Sequence, residues 1–296
     1  MVSGIGIALA ISAAWFLAGQ TLSIRLATRK GLANDVLVVV MLVNVVVLIP
    51  LALVLDPNPT ITPLSILAFG VAGLVGTMVG RAFFYAGIKR VGASRAEPIK
   101  ASMPLHATIF AVILLGEQVT GPQLVGIVLM VGGIAAVSWE GSSAERAAGT
   151  EIPWFGLSLP LIAAVFFGLE PIFANVGFDE GTGVLTGLAI KTIVALSAFV
   201  LYLRWRSQLP HPKGFSREEL VWGAAAGLAN TAFLLAYYAA LEIARVGVVV
   251  PIMQTSPLIV IGVSALFLRQ VETVTPRLLG AAGVIVAGGV LVTLGG

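Results

Sequence analysis

The chain reads as an all-α polytopic membrane protein, with ten transmembrane helices arranged as two inverted five-helix repeats. Three observations carry that reading. Of 296 residues, 58% are hydrophobic and only 10% charged, against roughly 25% charged in an ordinary soluble domain; with a mean hydropathy of +1.03, most of the chain has no water to face. Its apolar runs, cut by charged or Pro/Gly-rich breaks, number ten. The frame "PIKASMPL" from Pro98 returns 153 residues later as "PIMQTSPL" from Pro251, with methionine where the lysine stood.

A helix needs about 20 apolar residues to cross the hydrocarbon core. The ten runs cover about 4–24, 34–55, 63–87, 94–116, 121–139, 154–176, 182–203, 218–241, 246–268 and 275–295. Backbone facing lipid must satisfy its own hydrogen bonds, so such runs are helices. The first, "MVSGIGIALAISAAWFLAG", has no basic flank ahead of it and reads as a crossing, not a cleaved signal. Between the fifth and sixth lies "EGSSAERAAGTEIP", from Glu140 to Pro153, the most polar connection. It divides the chain into repeats at 1–140 and 154–296 with a linker at 141–153. Gly76 with Gly80, and Gly223 with Gly227, form GxxxG spacings that suit helices in close contact; neither pair is assigned a ligand role.

The repeat extends beyond the octapeptide. "FYAGIKRVGAS" from Phe84 lies over "YYAALEIARVG" from Tyr237 at the same offset, and "EQVTGPQLVG" from Glu117 is matched by "ETVTPRLLG" from Glu272. At the start of each half, "AAWFLAGQ" from Ala13 lies over "AAVFFGLE" from Ala163, an offset of 150. Two copies of a five-helix unit account for this. An odd helix number makes the second copy enter the membrane from the other side, an arrangement that lets two halves rock around a midplane site. The corner "TRKG" from Thr28 is basic where its counterpart "FDEG" from Phe178 is acidic. Thirteen basic residues, Arg29, Lys30, Arg90 and Arg206 among them, lie in or beside the loops after odd-numbered segments, and one, Arg245, follows an even-numbered one. The positive-inside rule then turns both termini outward.

These features resemble the drug/metabolite transporter superfamily in its two-domain EamA-type branch. The run "GASRAEPIKASMPLHATIFAVILLGEQVTGPQLVGIVLMVGGI", Gly92 to Ile134, is similar to that family's fourth and fifth helices, with a proline near the middle and an LGE corner at Leu115-Gly116-Glu117. The second copy has "LRQVE", Leu268 to Glu272, so the corner is not carried over to Gln270. The resemblance implies a plasma-membrane carrier of amino acids, related metabolites or drugs, often working outward. It also implies cytoplasmic termini, opposite to the loop charges.

Ionisable groups inside crossings are expensive and default to a functional hypothesis. Here they are Arg81, Lys100, Lys191, Glu170 and Glu97. Lys100 follows Pro98, which removes a helical N–H and crowds the preceding turn. It reads either as an anchor for a carboxylate or phosphate, or as a structural group that pairs with Glu97 or snorkels toward the near headgroups. Met253 at the matching place argues that the fold does not need the lysine. Glu170, whose repeat partner is Gln20, is either a proton carrier or the counter-ion of Lys191 or Arg81, the latter preferred because one acid among three bases is most readily kept charged by pairing. Lys191 and Arg81 match Met41 and Leu234, and both carry the same ambiguity. Trp15, Tyr85 and Tyr238, with Phe84, Phe166 and Tyr237, are aromatics expected to border the centre. Asn230, which matches Thr77, and Gln254 add polar groups suited to a wet cavity or to interhelical bonds. His106 reads as a hydrogen-bonded core residue, and His211 lies in a loop between two prolines, so no histidine pair has metal-ligand spacing.

Cysteine is absent, which excludes disulfides, thiolate catalysis and cysteine-ligated metals. The net charge of +3 comes without a basic patch interleaved with aromatics, which argues against nucleic acid. The sequence has no HExxH, GxSxG, P-loop or paired membrane aspartates, which sets an intramembrane enzyme aside. The reading is a secondary transporter of a small polar metabolite, needing no cofactor or metal, with a lipid-headgroup or drug translocator of the same fold as the alternative. Three bases against two acids in the crossings favour a carboxylate-bearing or zwitterionic substrate. Its expected partners are that small molecule, a coupling proton and the lipid bilayer, around a monomeric chain.

Overall fold

The computed structural model describes residues 4–27, 33–91, 96, 99–140, 154–210, 215–267 and 276–295. The expected linker at 141–153, Glu97, Pro98, His211, Gln270 and the side chain of Tyr85 lie outside the described residues. The described residues are helical with no strand. In the first repeat, α1 spans Gly4–Ala27 and α2 Ala33–Leu55; α3 (Pro63–Ala72) runs through a π-helical segment, Gly73–Val79, into α4 (Gly80–Val91); α5 is Met103–Leu115 and α6 Gly121–Glu140. In the second, α7 spans Trp154–Asp179, α8 Val184–Trp205, α9 Arg217–Ile243, α10 Val246–Met253, α11 Ser256–Phe267 and α12 Pro276–Gly295.

Six of these spans, beginning at Gly4, Asp35, Pro63, Phe155, Val184 and Arg217, are long and apolar enough to cross a membrane. Of the ten expected crossings, six are thus long and apolar enough to span a membrane among the described residues, and four further apolar stretches are shorter. Each repeat has a helix break at the same place. Ala101–Ser102 and Gln254–Thr255 are turns, not helix. The Ser102 hydroxyl donates to the Ile99 carbonyl at 2.7 Å, and the Thr255 hydroxyl donates to the Ile252 carbonyl at 2.7 Å. The Ser102 and Thr255 amides reach the same two carbonyls at 3.1 Å, and the next turns restart with Leu105 N–H to Ser102 and Leu258 N–H to Thr255. Prolines at 98 and 251 cannot donate to a helical ladder, and the hydroxyl after each takes up a carbonyl that the broken ladder frees.

The two repeats are not separate bodies. The most extensive helix packing, α1 on α9, α6 on α12, α4 on α7, α2 on α9 and α5 on α7, all runs between them. Glycines permit the closest approaches. A Cβ at Gly227 would stand 2.6 Å from Val43 and one at Gly223 3.1 Å from Val39, so this GxxxG face is where α9 meets α2. Where α6 crosses α12, a Cβ on Gly126 or Gly288 would stand 2.6 Å from the other's carbonyl oxygen.

Antiparallel succession puts residue 4, residue 295 and the connections after α2, α5, α7 and α9 on one face, here called the terminal face. It is tied by hydrogen bonds from one repeat to the other. Thr62 donates to Glu180, Thr186 to Asp56 and Thr182 to the Thr60 carbonyl, each at 2.7 Å, and Thr120 donates to the Gly295 carbonyl at 2.6 Å. Glu117, after the left-handed Gly116 (φ 69°) that ends α5, accepts the N–H groups of Val246 and Gly247 at 2.7 and 3.1 Å. A carboxylate from one half thus caps the first turn of the broken helix in the other, where the helix dipole favours negative charge. Glu117→Ala leaves those amides without an acceptor and is expected to cost about 2–3 kcal/mol, read as a lowered unfolding midpoint in detergent, with Glu117→Gln losing less.

Candidate functional site

Between the repeats lies a cavity of about 250 Å³ walled by residues of both halves. The repeat offsets account for its shape. Leu17 and Phe167, Gln20 and Glu170, and Met41 and Lys191 are partners at an offset of 150; Thr77 and Asn230, Arg81 and Leu234, Phe84 and Tyr237, and Lys100 and Met253 are partners at 153. Both members of all seven pairs are on the wall. The breaks at Ala101–Ser102 and Gln254–Thr255 bring Lys100, Gln254 and Met253 to it.

Of the residues expected at a site, Lys100, Glu170, Gln20, Arg81, Asn230, Gln254 and Lys191 line the cavity. Tyr238 stands behind the wall: it is fully buried, its hydroxyl donates to Glu170 at 3.3 Å, and the Lys191 ammonium lies 4.5 Å from its ring centroid. Trp15 does not reach the cavity. It is 57% exposed on the outer surface of α1, whose inner face is the small-residue stripe Ala10, Ala13, Ala14 and Ala18. At 3.6 residues per turn Trp15 sits about 140° around the helix from Gln20, so one helix could not present both. Phe84 and Tyr237 supply the aromatic wall, and Phe84 carries the Lys100 ammonium 4.6 Å from its ring centroid. His106 bonds the Ser102 carbonyl through Nδ1 at 3.0 Å, one turn back along its own chain.

Two buried polar systems organise the wall. Lys191 donates to Glu170 in an ion pair that is nearly sealed on the lysine side. The pair needs the glycines of the π-helical segment: a Cβ on Gly76 would collide with the Glu170 carboxylate, and one on Gly73 would press on the Lys191 backbone at 2.5 Å. The first GxxxG pair therefore makes room for a charge as well as a helix. π-helical turns are rare and concentrate at functional sites; the matching stretch of the second repeat, within α9, is regular α-helix.

The second system is a chain of amides. Asn44 donates to Asn230 at 2.7 Å, Asn230 donates to Gln20 at 2.9 Å, and Thr231 donates to Asn44 at 2.9 Å. Asn44 was not anticipated, although it is the one polar side chain in "VLVVVMLVNVVVLIPLALVL" apart from the proline-broken end, and an amide in such a run must find a partner. Phe233, stacked on Tyr237 at 5.5 Å, had no signal to mark it.

Arg81 completes the wall. It is near enough to Lys191 for the two cations to repel, and among the described residues none accepts a hydrogen bond from its guanidinium. The described wall thus holds three bases and one acid, and that acid already faces Lys191.

Two related helical halves that enclose a shared polar cavity have the build of a transporter. The chain belongs to the EamA-like transporter family, which matches it twice, over residues 4–139 and 154–294. It is similar to the uncharacterized transporter YwfM of Bacillus subtilis (strain 168), at 28% identity over 133 residues, 45% of this chain and 45% of that protein. It is also similar to the glucose uptake protein GlcU of Staphylococcus xylosus, at 26% identity over 183 residues, 60% of this chain and 62% of that protein. The matches thus span less than two thirds of either relative. A solved crystal structure superposes with a TM-score of 0.80 over 98% of this chain and 96% of its own at 15% identity, a likeness of fold alone.

The first repeat already shows what the buried pair could be replaced with: Gln20 and Met41 stand where the second has Glu170 and Lys191. Lys191→Met alone leaves a buried carboxylate uncompensated and is expected to destabilise by about 3 kcal/mol. Adding Glu170→Gln is expected to recover most of that loss, measured as unfolding midpoints of both single variants and the double.

Proposed function

We propose that the chain is a secondary carrier that moves a small carboxylate-bearing metabolite across the plasma membrane by alternating access. In this reading ten helices cross the bilayer as two inverted repeats, 1–140 and 154–296, joined by the linker 141–153. The observation that carries it is Arg81, a cation on the cavity wall beside an ion pair that is already neutral. A charge held away from bulk water must be paired or hydrated, and the group most able to pair with a guanidinium is a carboxylate or phosphate. The apolar wall of Leu17, Phe84, Phe167, Phe233 and Leu234 suits the carbon body of such a molecule, and the volume suits a small metabolite better than a lipid.

The interlocked terminal face supports alternating access with that side closed. The loop charges make it the outer side and the conformer inward-facing. Amino acids and related metabolites moving outward fit the family habit, and neutralisation of Glu170 would couple transport to a proton. A second reading has its own support: the amide chain of Gln20, Asn230 and Asn44 is the kind of array that receives sugar hydroxyls, and one relative is named a glucose uptake protein.

A thermal-shift panel of amino acids, organic acids, amines and neutral sugars separates these, because a ligand that binds only the folded protein raises its midpoint by mass action. Anionic or zwitterionic compounds are expected to stabilise the wild type and to lose that effect in Arg81→Gln and Lys100→Met, both of which stay folded. Stabilisation by sugars alone, intact in both variants, would replace the anion reading with the second one.

A further inference from the structure

Two sets of wall differences between the repeats stand beside the change of Met253 to Lys100, whose ammonium lies over the Phe84 ring. Glu170 and Lys191 replace Gln20 and Met41, and they satisfy each other. Arg81 replaces Leu234 and Tyr237 replaces Phe84; neither the guanidinium nor the Tyr237 hydroxyl has a hydrogen-bond partner among the described residues. The Tyr237 ring is well held, stacked on Phe233 at 5.5 Å and edge-on to Tyr238 at 5.6 Å. Its hydroxyl is buried and unmatched, and an unmade hydrogen bond of this kind costs roughly 1–3 kcal/mol. Phe84, in the equivalent place, shows that the fold accepts the ring without the oxygen. The hydroxyl is therefore open to a partner that the described residues do not supply.

The two unmatched groups come from different halves and different depths. Tyr237 lies six residues before the end of α9 at the terminal face, and Arg81 lies ten residues before the end of α4 at the opposite face. Both line the same cavity, together with Leu234, Phe233 and the Glu170–Lys191 pair.

Building on the carboxylate reading of the cavity, we infer that the Tyr237 hydroxyl is a specificity-determining contact to the cargo, which carries a carboxylate for Arg81 and a neutral hydrogen-bonding group, such as a hydroxyl, at its other end. A plain carboxylic acid fills the Arg81 end and leaves Tyr237 unmatched. A hydroxy acid of suitable length satisfies both. One net hydrogen bond is worth about 0.5–1.5 kcal/mol, so the preference for the hydroxy acid is roughly 3- to 10-fold.

The test measures dissociation constants of 4-hydroxybutyrate and 6-hydroxyhexanoate, each against its parent, butyrate or hexanoate, on purified full-length protein. The wild type is expected to prefer at least one hydroxy acid over its parent by roughly 3- to 10-fold, Tyr237→Phe to bring that ratio close to one, and Arg81→Gln to weaken all four acids. Ligand-free Tyr237→Phe is expected to melt no lower than wild type, since the hydroxyl makes no bond among the described residues; a lowered midpoint would give the hydroxyl a structural role and overturn the inference. Acids that bind through Arg81 with a hydroxy-to-parent ratio unmoved by Tyr237→Phe would overturn it too, leaving the carboxylate carrier standing. If none of the four acids binds the wild type, the carrier reading falls and this inference with it.

Discussion

The Glu170–Lys191 pair is the contact on which the cavity depends. Two charges placed in a low-dielectric interior must neutralise each other, and the surrounding chain is arranged around that requirement. Gly73 and Gly76 make room for the pair, the π-helical segment between α3 and α4 gives that face its shape, and Tyr238 offers its ring to the lysine and its hydroxyl to the carboxylate. With this acid committed, Arg81 remains as the cation whose partner the described protein does not supply. The proposal of an anionic cargo rests on this distribution of charge.

The symmetry of the scaffold and the asymmetry of the wall are separate facts with separate causes. Helix breaks at Ser102 and Thr255, made by the same bonds to the same positions, reflect a duplicated backbone design. The substitutions Gln20 to Glu170, Met41 to Lys191, Leu234 to Arg81 and Phe84 to Tyr237 break that symmetry on the wall, as the proposed cargo, which need not be two-fold symmetric, allows. Nearly all of the extensive packing runs between repeats, and hydrogen bonds from one repeat to the other tie the terminal face. Glu117 links these levels, since it ties a loop of one half to the first turn of the broken helix that carries Met253 and Gln254 in the other.

Much of this was legible in the residues, and the boundary has a physical reason. Repeat offsets marked pairs such as Gln20/Glu170 and Lys100/Met253 because duplication preserves position, and both members of each pair reach the wall. The counter-ion role of Glu170 followed from charge arithmetic alone. Trp15 was placed at the centre because an almost uniformly apolar helix shows no polar face from which to read its rotation; the alanine stripe was the better guide. The LGE corner was visible, but its partner lay 129 residues away at Val246, beyond any local signal. Asn44 could have been found by asking where a single amide in a valine-rich run would bond.

The proposed transport rests on a cavity-wall cation, Arg81, that receives the cargo's carboxylate. The direct measurement is flux of a radiolabelled carboxylic acid, the strongest stabiliser of the purified protein, into liposomes holding wild type or Arg81→Gln at equal folded amounts. The account predicts saturable flux through the wild type and a loss of about tenfold or more in the variant, the scale of one charge-assisted contact. Equal flux through both would contradict it.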